Sequence, residues 1–416
     1  MSGGGVALKS GFGTRTKGDP METAREAGRG VLAGVQVLDL SAYVAGPYGC
    51  TLLADLGADV VKVEPPQGDN LRNYPSTLEG ECRFFVGANR GKRSIVVDLK
   101  HPDGLALVLD LAGRADVLVH NFRSGVAERL GIGWEALSTR YPRLVYASLS
   151  GYGETGPMRE TAGFDQVLQT MTGITVGQAD PGAAPQLVHG SVVDYYAASM
   201  LALGITGALY ERERTGRGQR VSTSLLASAL SMQSGRFVWG PGETAQTDRN
   251  LRSTGVNGIY ATRDGHVYLQ ATTTHFWQTL CRLTGCDELA EDPELDTVRK
   301  RTARSAEIGA RLSQALATRT TEEWRSILAP HVPFAVAAGI EAMFDHPQVI
   351  DQELVAEYAH PTLGRYRGFR SPIAFDGART QPRAAPALGE HTDEVLREAG
   401  LPADRIAALR GAGAIG

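Results

Sequence analysis

Residues 35–64 read VQVLDLSAYVAGPYGCTLLADLGADVVKVE, and this stretch decides the fold. Its ends, Val35 to Leu40 and Ala58 to Glu64, are aliphatic runs of strand length. Between them Ala45-Gly46-Pro47 forms a turn, and a helix is predicted over about Tyr48 to Leu56. Strand, helix and strand in so short a span make a βαβ unit, with a right-handed crossover and a helix laid on a parallel sheet. The turn also excludes one ligand. A dinucleotide fingerprint needs GxGxxG after the first strand, and Ser41-Ala42-Tyr43-Val44-Ala45-Gly46-Pro47-Tyr48-Gly49 does not supply it, so the unit is Rossmann-like without a nicotinamide cofactor.

The next segment repeats the pattern. Asn89-Arg90-Gly91-Lys92-Arg93-Ser94 is a basic turn leading into the buried strand Ile95-Val96-Val97. A helix follows from His101-Pro102-Asp103-Gly104 with Leu105, Val108, Leu109 and Leu111 on its apolar face, and then the strand Val117 to His120. Two such units predict an open, doubly wound α/β sheet, which binds ligands at the carboxyl ends of its strands. Asn121, Phe122 and Arg123 stand at such an end. Lys92, Arg93, Lys100, Arg123 and Arg129 read singly as solvated charge; clustered at strand ends, they suit an anionic ligand. A further strand, Leu144 to Leu149, runs into the glycine-rich loop Ser150 to Pro157, where backbone can approach a ligand closely.

Ala162-Gly163-Phe164-Asp165 opens another helix, with Asp165 as a cap candidate. From Gly190 to Gly218 the chain then reads as one helix buried on most sides, free of charge from Tyr195 to Tyr210 and stopped at Gly216. Asp194 stands where it begins. An acid there meets unpaired N–H groups and the positive end of the helix dipole, which predicts an ionised carboxylate at neutral pH. The bland role for Asp194 is an N-cap. A strand is predicted over Gln219 to Leu226.

Beyond residue 226 the texture changes. Gly258 to Thr262 and His266 to Gln270 form a hairpin across Arg263-Asp264-Gly265, and short amphipathic helices run from Phe276 to about Phe344. The expected organisation is a disordered extension over 1–30, a large Rossmann-like domain from 31–226 and 351–416, and a smaller α+β domain over 227–350. Net charge is −4 with a pI near 6.2, which marks neither a nucleic-acid nor a membrane-surface binder. Cys50, Cys82, Cys281 and Cys286 lack zinc-ligand spacing and read as free thiols of a reducing cytoplasm, so no metal and a cytoplasmic location are expected.

Taken together, these segments resemble the class III CoA-transferases, the CaiB/BaiF group that includes formyl-CoA and carnitine CoA-transferases. The resemblance runs from about Val31 to Leu401. It is carried by Val37-Leu38-Asp39-Leu40 through Ala45-Gly46-Pro47 to Leu56-Gly57-Ala58-Asp59, Asn89-Arg90-Gly91-Lys92-Arg93-Ser94, Asn121-Phe122-Arg123 with Glu128-Arg129-Leu130-Gly131, Gly151-Tyr152-Gly153 with Thr155-Gly156-Pro157, Thr215-Gly216-Arg217-Gly218-Gln219 and Gly389-Glu390-His391-Thr392.

The resemblance implies an acyl-CoA:carboxylate CoA-transferase with no tightly bound cofactor, acting on an acyl-CoA and a small carboxylic acid. It places the catalytic aspartate on Asp194, and Tyr43, Val44, Ala45, Val97, Lys100, Asn121, Phe122, Arg129 and Leu130 along the coenzyme A groove. It also implies an interlocked homodimer, with oxyanion donors at the head of the Asp194 helix or in a glycine loop. Val44 replaces a glutamine of the formyl-CoA enzymes, and their glycine run is reduced to Gly255-Val256-Asn257-Gly258, so formate and oxalate are not the expected acids. The racemase branch carries a histidine at position 164; here it is Phe164, and His189 is the alternative base for that reading. A third reading is a non-catalytic CoA-binding protein.

Overall fold

The computed structural model describes residues 30–179, 182–244, 247 and 256–416. The extension expected over 1–30 lies outside these residues except for Gly30, as does Gly255 of the stretch Gly255-Val256-Asn257-Gly258. The chain divides into two compact units, one running to Ser234 and resuming at Asp351, the other Gly235–Ile350.

In the large unit β1 (Gln36–Asp39), β2 (Asp59–Glu64), β3 (Arg93–Val96), β4 (Val117–His120), β5 (Val145–Ser150) and β6 (Arg220–Ser224) form one sheet in the order β3-β2-β1-β4-β5-β6. Every pairing is parallel. Both predicted βαβ units are present, and the strand order reverses between β1 and β4. Leu38 sits in register between Val61 and Leu118.

The central strands β1, β4 and β5 are buried along nearly their whole length because both faces are covered. Val37, Val60, Val117, Val119, Val145 and Ala147 meet α1 (Ala45–Asp55) on one face. Leu38, Ile95, Leu118 and Tyr146 meet α2 (Pro102–Ala112) on the other. Three further helices matter for the site: α3 (Asp165–Met171), α4 (Val192–Thr215) and α5 (Leu225–Ser231). After the small unit the chain returns as α6 (Thr392–Glu398) and α7 (Ala403–Gly411), which complete the second face through Val395, Leu396, Ile406 and Leu409. Val97 then forms an antiparallel bridge with Ile415.

By length and composition α4 could cross a membrane, yet Val193, Ala197, Leu201 and Ile205 are buried in the first face of the sheet beside α1. Gly49 sets how near α1 comes: a Cβ there would stand 3.0 Å from Leu201 Cδ2 and 3.1 Å from the Ala198 carbonyl. The strand expected over Gln219 to Leu226 stops at Ser224, whose hydroxyl accepts the Ala227 N–H (3.0 Å) and caps α5. Leu225 and Ala229 pack with the large unit, so the unit border falls after Ser234 and not at 227.

In the small unit the predicted hairpin is β7 (Gly258–Ala261) with β8 (His266–Leu269), joined by β9 (Phe334–Val336) in an antiparallel sheet. Its core gathers Trp277, Leu280, Ile308, Leu312, Leu316 and Trp324 from the amphipathic helices around it.

Candidate active site

An open parallel sheet leaves a crevice where its strand order reverses, beyond the carboxyl ends of the two strands concerned. Here those are β1 and β4, and their exits are tied together. Asn121 accepts the Ala42 N–H (2.9 Å) and donates to the Ala42 carbonyl (2.7 Å). The next residue, Tyr43, is left-handed at φ 66°, an uncommon conformation for a bulky side chain. Beyond these exits lies a cleft of about 240 Å³ lined by Tyr43, Ala45, Asn121, Phe122, Arg123, Gly151, Phe164 and Asp194, among others. Gly151 and Gly163 let two loops pass along its wall, since a Cβ on Gly151 would come within 2.9 Å of the Gly163 Cα.

The head of α4 departs from expectation. Asp194 does not cap it. The Val193 and Asp194 N–H groups donate to Asp165 Oδ2, at 2.7 and 3.0 Å, so α3 supplies the carboxylate that occupies the helix end. Gln169 also donates to Asp165, and it holds Val188 by a bond from the Val188 N–H (2.9 Å) and one to its carbonyl (3.1 Å). The residue before the helix, Ser191, is again left-handed, at φ 54°.

Asp194 is thereby freed to face the cleft, and among the described residues its carboxylate has no hydrogen-bond partner. Burial, and then the negative charge of Asp165, push its pKa up to about 7. This corrects the expected fully ionised carboxylate: the dipole and the N–H groups that would favour the anion are already occupied by Asp165. The same occupancy removes the head of α4 as a source of oxyanion donors.

Of the predicted groove residues, Tyr43, Ala45, Asn121 and Phe122 line the cleft with Asp194. Arg129 lines an adjoining hollow that shares Arg123, Ser124 and Arg159 with it. The other four stand outside both. Val44 packs with Leu71 and Phe85 in a separate apolar cluster, and Val97 is buried against the returning C-terminal segment. Lys100 is exposed beyond the end of β3. Leu130 packs on the second face of the sheet. His189 is exposed and does not line the cleft.

Lys92, read singly as solvated charge, is buried: its ammonium lies 2.8 Å from Asp39 Oδ2 and donates to the Pro47 carbonyl (2.7 Å) and Asn89 Oδ1 (2.8 Å). Burial acts to raise the Asp39 pKa, but Lys92 and Lys62 outweigh it and hold it at about 2. Asp39 in turn accepts the Ser41 N–H (2.9 Å) and the Ser41 hydroxyl. Nothing in a strand such as VQVLDL distinguishes an aspartate that will be buried from one that will not. Among the described residues no group of histidine, cysteine and carboxylate side chains could hold a metal.

Comparison with known proteins shows the family of the chain. The profile of CoA-transferase family III matches residues 32–392. An acetyl-CoA:oxalate CoA-transferase of Acetobacter aceti is 34% identical over 74% of this chain and 80% of its own length. A succinyl-CoA:glutarate CoA-transferase of Mus musculus is 30% identical over 88% of this chain and 86% of its own. The crystal structure of Rv3272 from Mycobacterium tuberculosis superposes with a TM-score of 0.77 at 32% identity, covering 88% of this chain and 99% of that one.

Proposed function

The chain belongs to CoA-transferase family III, and from that premise we propose that it moves coenzyme A from an acyl-CoA to a small carboxylic acid with Asp194 as the covalent nucleophile. The observation that carries this reading is the pairing of Asp165 and Asp194. One carboxylate occupies the helix end, and the other is left desolvated, without a hydrogen-bond partner among the described residues and open to the cleft at the switch point. Poor solvation strengthens a carboxylate as a nucleophile, provided it is ionised when the thioester arrives.

The Asp194 carboxylate attacks the thioester carbonyl, the C–S bond breaks, and CoA leaves as thiolate from a mixed anhydride. The thiolate attacks the aspartyl carbonyl of that anhydride, breaking its C–O bond, which frees the first acid and leaves an aspartyl-CoA thioester. The acceptor carboxylate then attacks that thioester, and the two steps run in reverse. Each addition develops an oxyanion. The first turn of α1, with Ala45 on the cleft and neither a side-chain cap nor an acid, supplies its donors in this reading. Arg123, Arg129 and Arg159 in the adjoining hollow suit the phosphates of CoA.

The racemase alternative requires a proton carrier on the face opposite the aspartate. Phe164 lines the cleft and His189 does not, so no observation favours it. Incubation with succinyl-CoA or acetyl-CoA and a panel of carboxylates, oxalate and glutarate included, tests the function, with hydroxylamine trapping the acyl-enzyme. Asp194→Ala is expected to lose transfer by roughly four orders of magnitude. Transfer at the wild-type rate by that variant would end the reading.

A further inference from the structure

Among the described residues four non-glycines have positive φ, and two of them, Tyr43 and Ser191, flank the cleft. Such a conformation persists only where the surroundings over-determine it. Ser191 is held through the Asp165 bracket. Tyr43 is held from beneath by a buried ion pair that the transfer chemistry does not use. Its N–H donates to Asp69 Oδ1 (3.1 Å), which also accepts the Leu71 N–H (2.9 Å). Asp69 Oδ2 lies 2.9 Å from the Lys62 ammonium, with the two side chains 1% and 0% exposed. Lys62 also donates to the Ser41 carbonyl (2.8 Å), so the pair grips the loop on both sides of Ala42. A buried ion pair is a weak source of stability, because desolvation offsets its attraction; what it fixes is geometry.

The geometry fixed is that of the Tyr43 ring. It stands edge-on to Phe164 with centroids 5.6 Å apart and to Tyr74 at 6.4 Å, and its hydroxyl accepts from Asn70 (3.1 Å). Phe164 and Asp194 line the same cleft.

Building on the proposed nucleophile, we infer that Lys62 and Asp69 are positioning residues of the transfer reaction: through the Tyr43 backbone they hold its ring as the wall that keeps water off the acyl-aspartyl intermediates. The quantity at stake is a partition. Water reaching the aspartyl-CoA thioester adds to its carbonyl and breaks the C–S bond, returning the Asp194 carboxylate and releasing CoA as free thiol with one proton. A carboxylate acceptor at the same carbonyl gives transfer instead. The ratio of thiol released to new acyl-CoA formed does not depend on how much of the enzyme is folded, so a merely structural role for Asp69 would leave it unmoved.

The test measures that ratio in the full chain, with the donor and acceptor that the carboxylate panel selects. Tyr43→Gly removes the ring while keeping the backbone, because glycine reaches φ 66° without strain. Tyr43→Gly and Asp69→Asn are each expected to raise the ratio on the order of tenfold, and the double variant no further than Tyr43→Gly alone. A wild-type ratio in Tyr43→Gly, or a double variant equal to the product of the singles, overturns the inference. If Asp69→Asn does not fold, Tyr43→Gly decides alone. Transfer surviving in Asp194→Ala would instead remove the underlying nucleophile, whichever way the ratio moves.

Discussion

Two helices begin at the same cleft, and they begin differently. α4 directly follows the left-handed Ser191, and α1 follows the left-handed Tyr43 with Val44 between them. The first turn of α1 contains no acid, and no side chain caps it. That of α4 contains Asp194 and is closed by Asp165 from a separate helix. A helix head carries roughly half a positive charge. At α4 that charge is met by Asp165, which leaves Asp194 destabilised as an anion. At α1 no acid and no side-chain cap meets it, and the proposed function assigns that end to the developing oxyanion. The difference teaches that an acid at a helix start is not stabilised by the dipole once another carboxylate has taken the N–H groups.

The comparison can be broken first at α1. A Cβ on Gly46 would lie 2.4 Å from Ser41 Cβ and 2.6 Å from its hydroxyl, so Gly46→Ala must displace the open helix head. Transfer should fall on the order of a hundredfold while far-UV circular dichroism stays native; a rate within twofold of wild type, about the scatter of an assay, would show that this head plays no part. The α4 side is sharpened by Asp165→Asn. Wild-type transfer should lose rate as pH falls through about 7, where Asp194 takes up its proton. Removing the neighbouring charge should move that acid limb to lower pH, while the asparagine amide oxygen still accepts from the Val193 and Asp194 N–H groups and keeps the cap. An unmoved limb would mean that burial alone sets the Asp194 pKa.

The smallest effect is on stability. Asp194 has a folded pKa raised from 3.8 to about 7. The unfolded state therefore ionises first, and folding loses stability as pH climbs from about 4 until it levels off above 7. Asp194→Asn should consequently be more stable than wild type at pH 8, by about 1–2 kcal/mol once its partial exposure is discounted, with no gain near pH 4. An equal gain at both pH values would trace the effect to packing and not to charge.

Much of the scaffold was legible in the chain. The strand Val117–His120, the hairpin around Arg263-Asp264-Gly265 and both βαβ units follow from apolar runs and their punctuation. Topology placed Asn121, Phe122 and Arg123 at a strand end, whereas Tyr43 and Ala45 came only from the family resemblance; all five line the cleft. What stayed hidden depends on contacts between distant residues. Asp165 looked like the cap of its own helix and serves another. Lys92 looked solvated and is buried on Asp39, 53 residues away. Val44 and Val97 were expected along the groove, but neither lines the cleft: Val44 packs in a separate cluster, and Val97 is held in the second face of the sheet by its bridge to Ile415. Local pattern names a residue's neighbours along the chain and is silent about its partners across it.

The late return of α6 and α7 has a consequence for synthesis. Leu38, Ile95, Leu118 and Tyr146 leave the ribosome long before the Val395, Leu396, Ile406 and Leu409 that cover them, because all of Gly235–Ile350 is translated in between. The nascent chain therefore carries a half-clad sheet through much of its elongation, a state prone to aggregation unless a chaperone shields it.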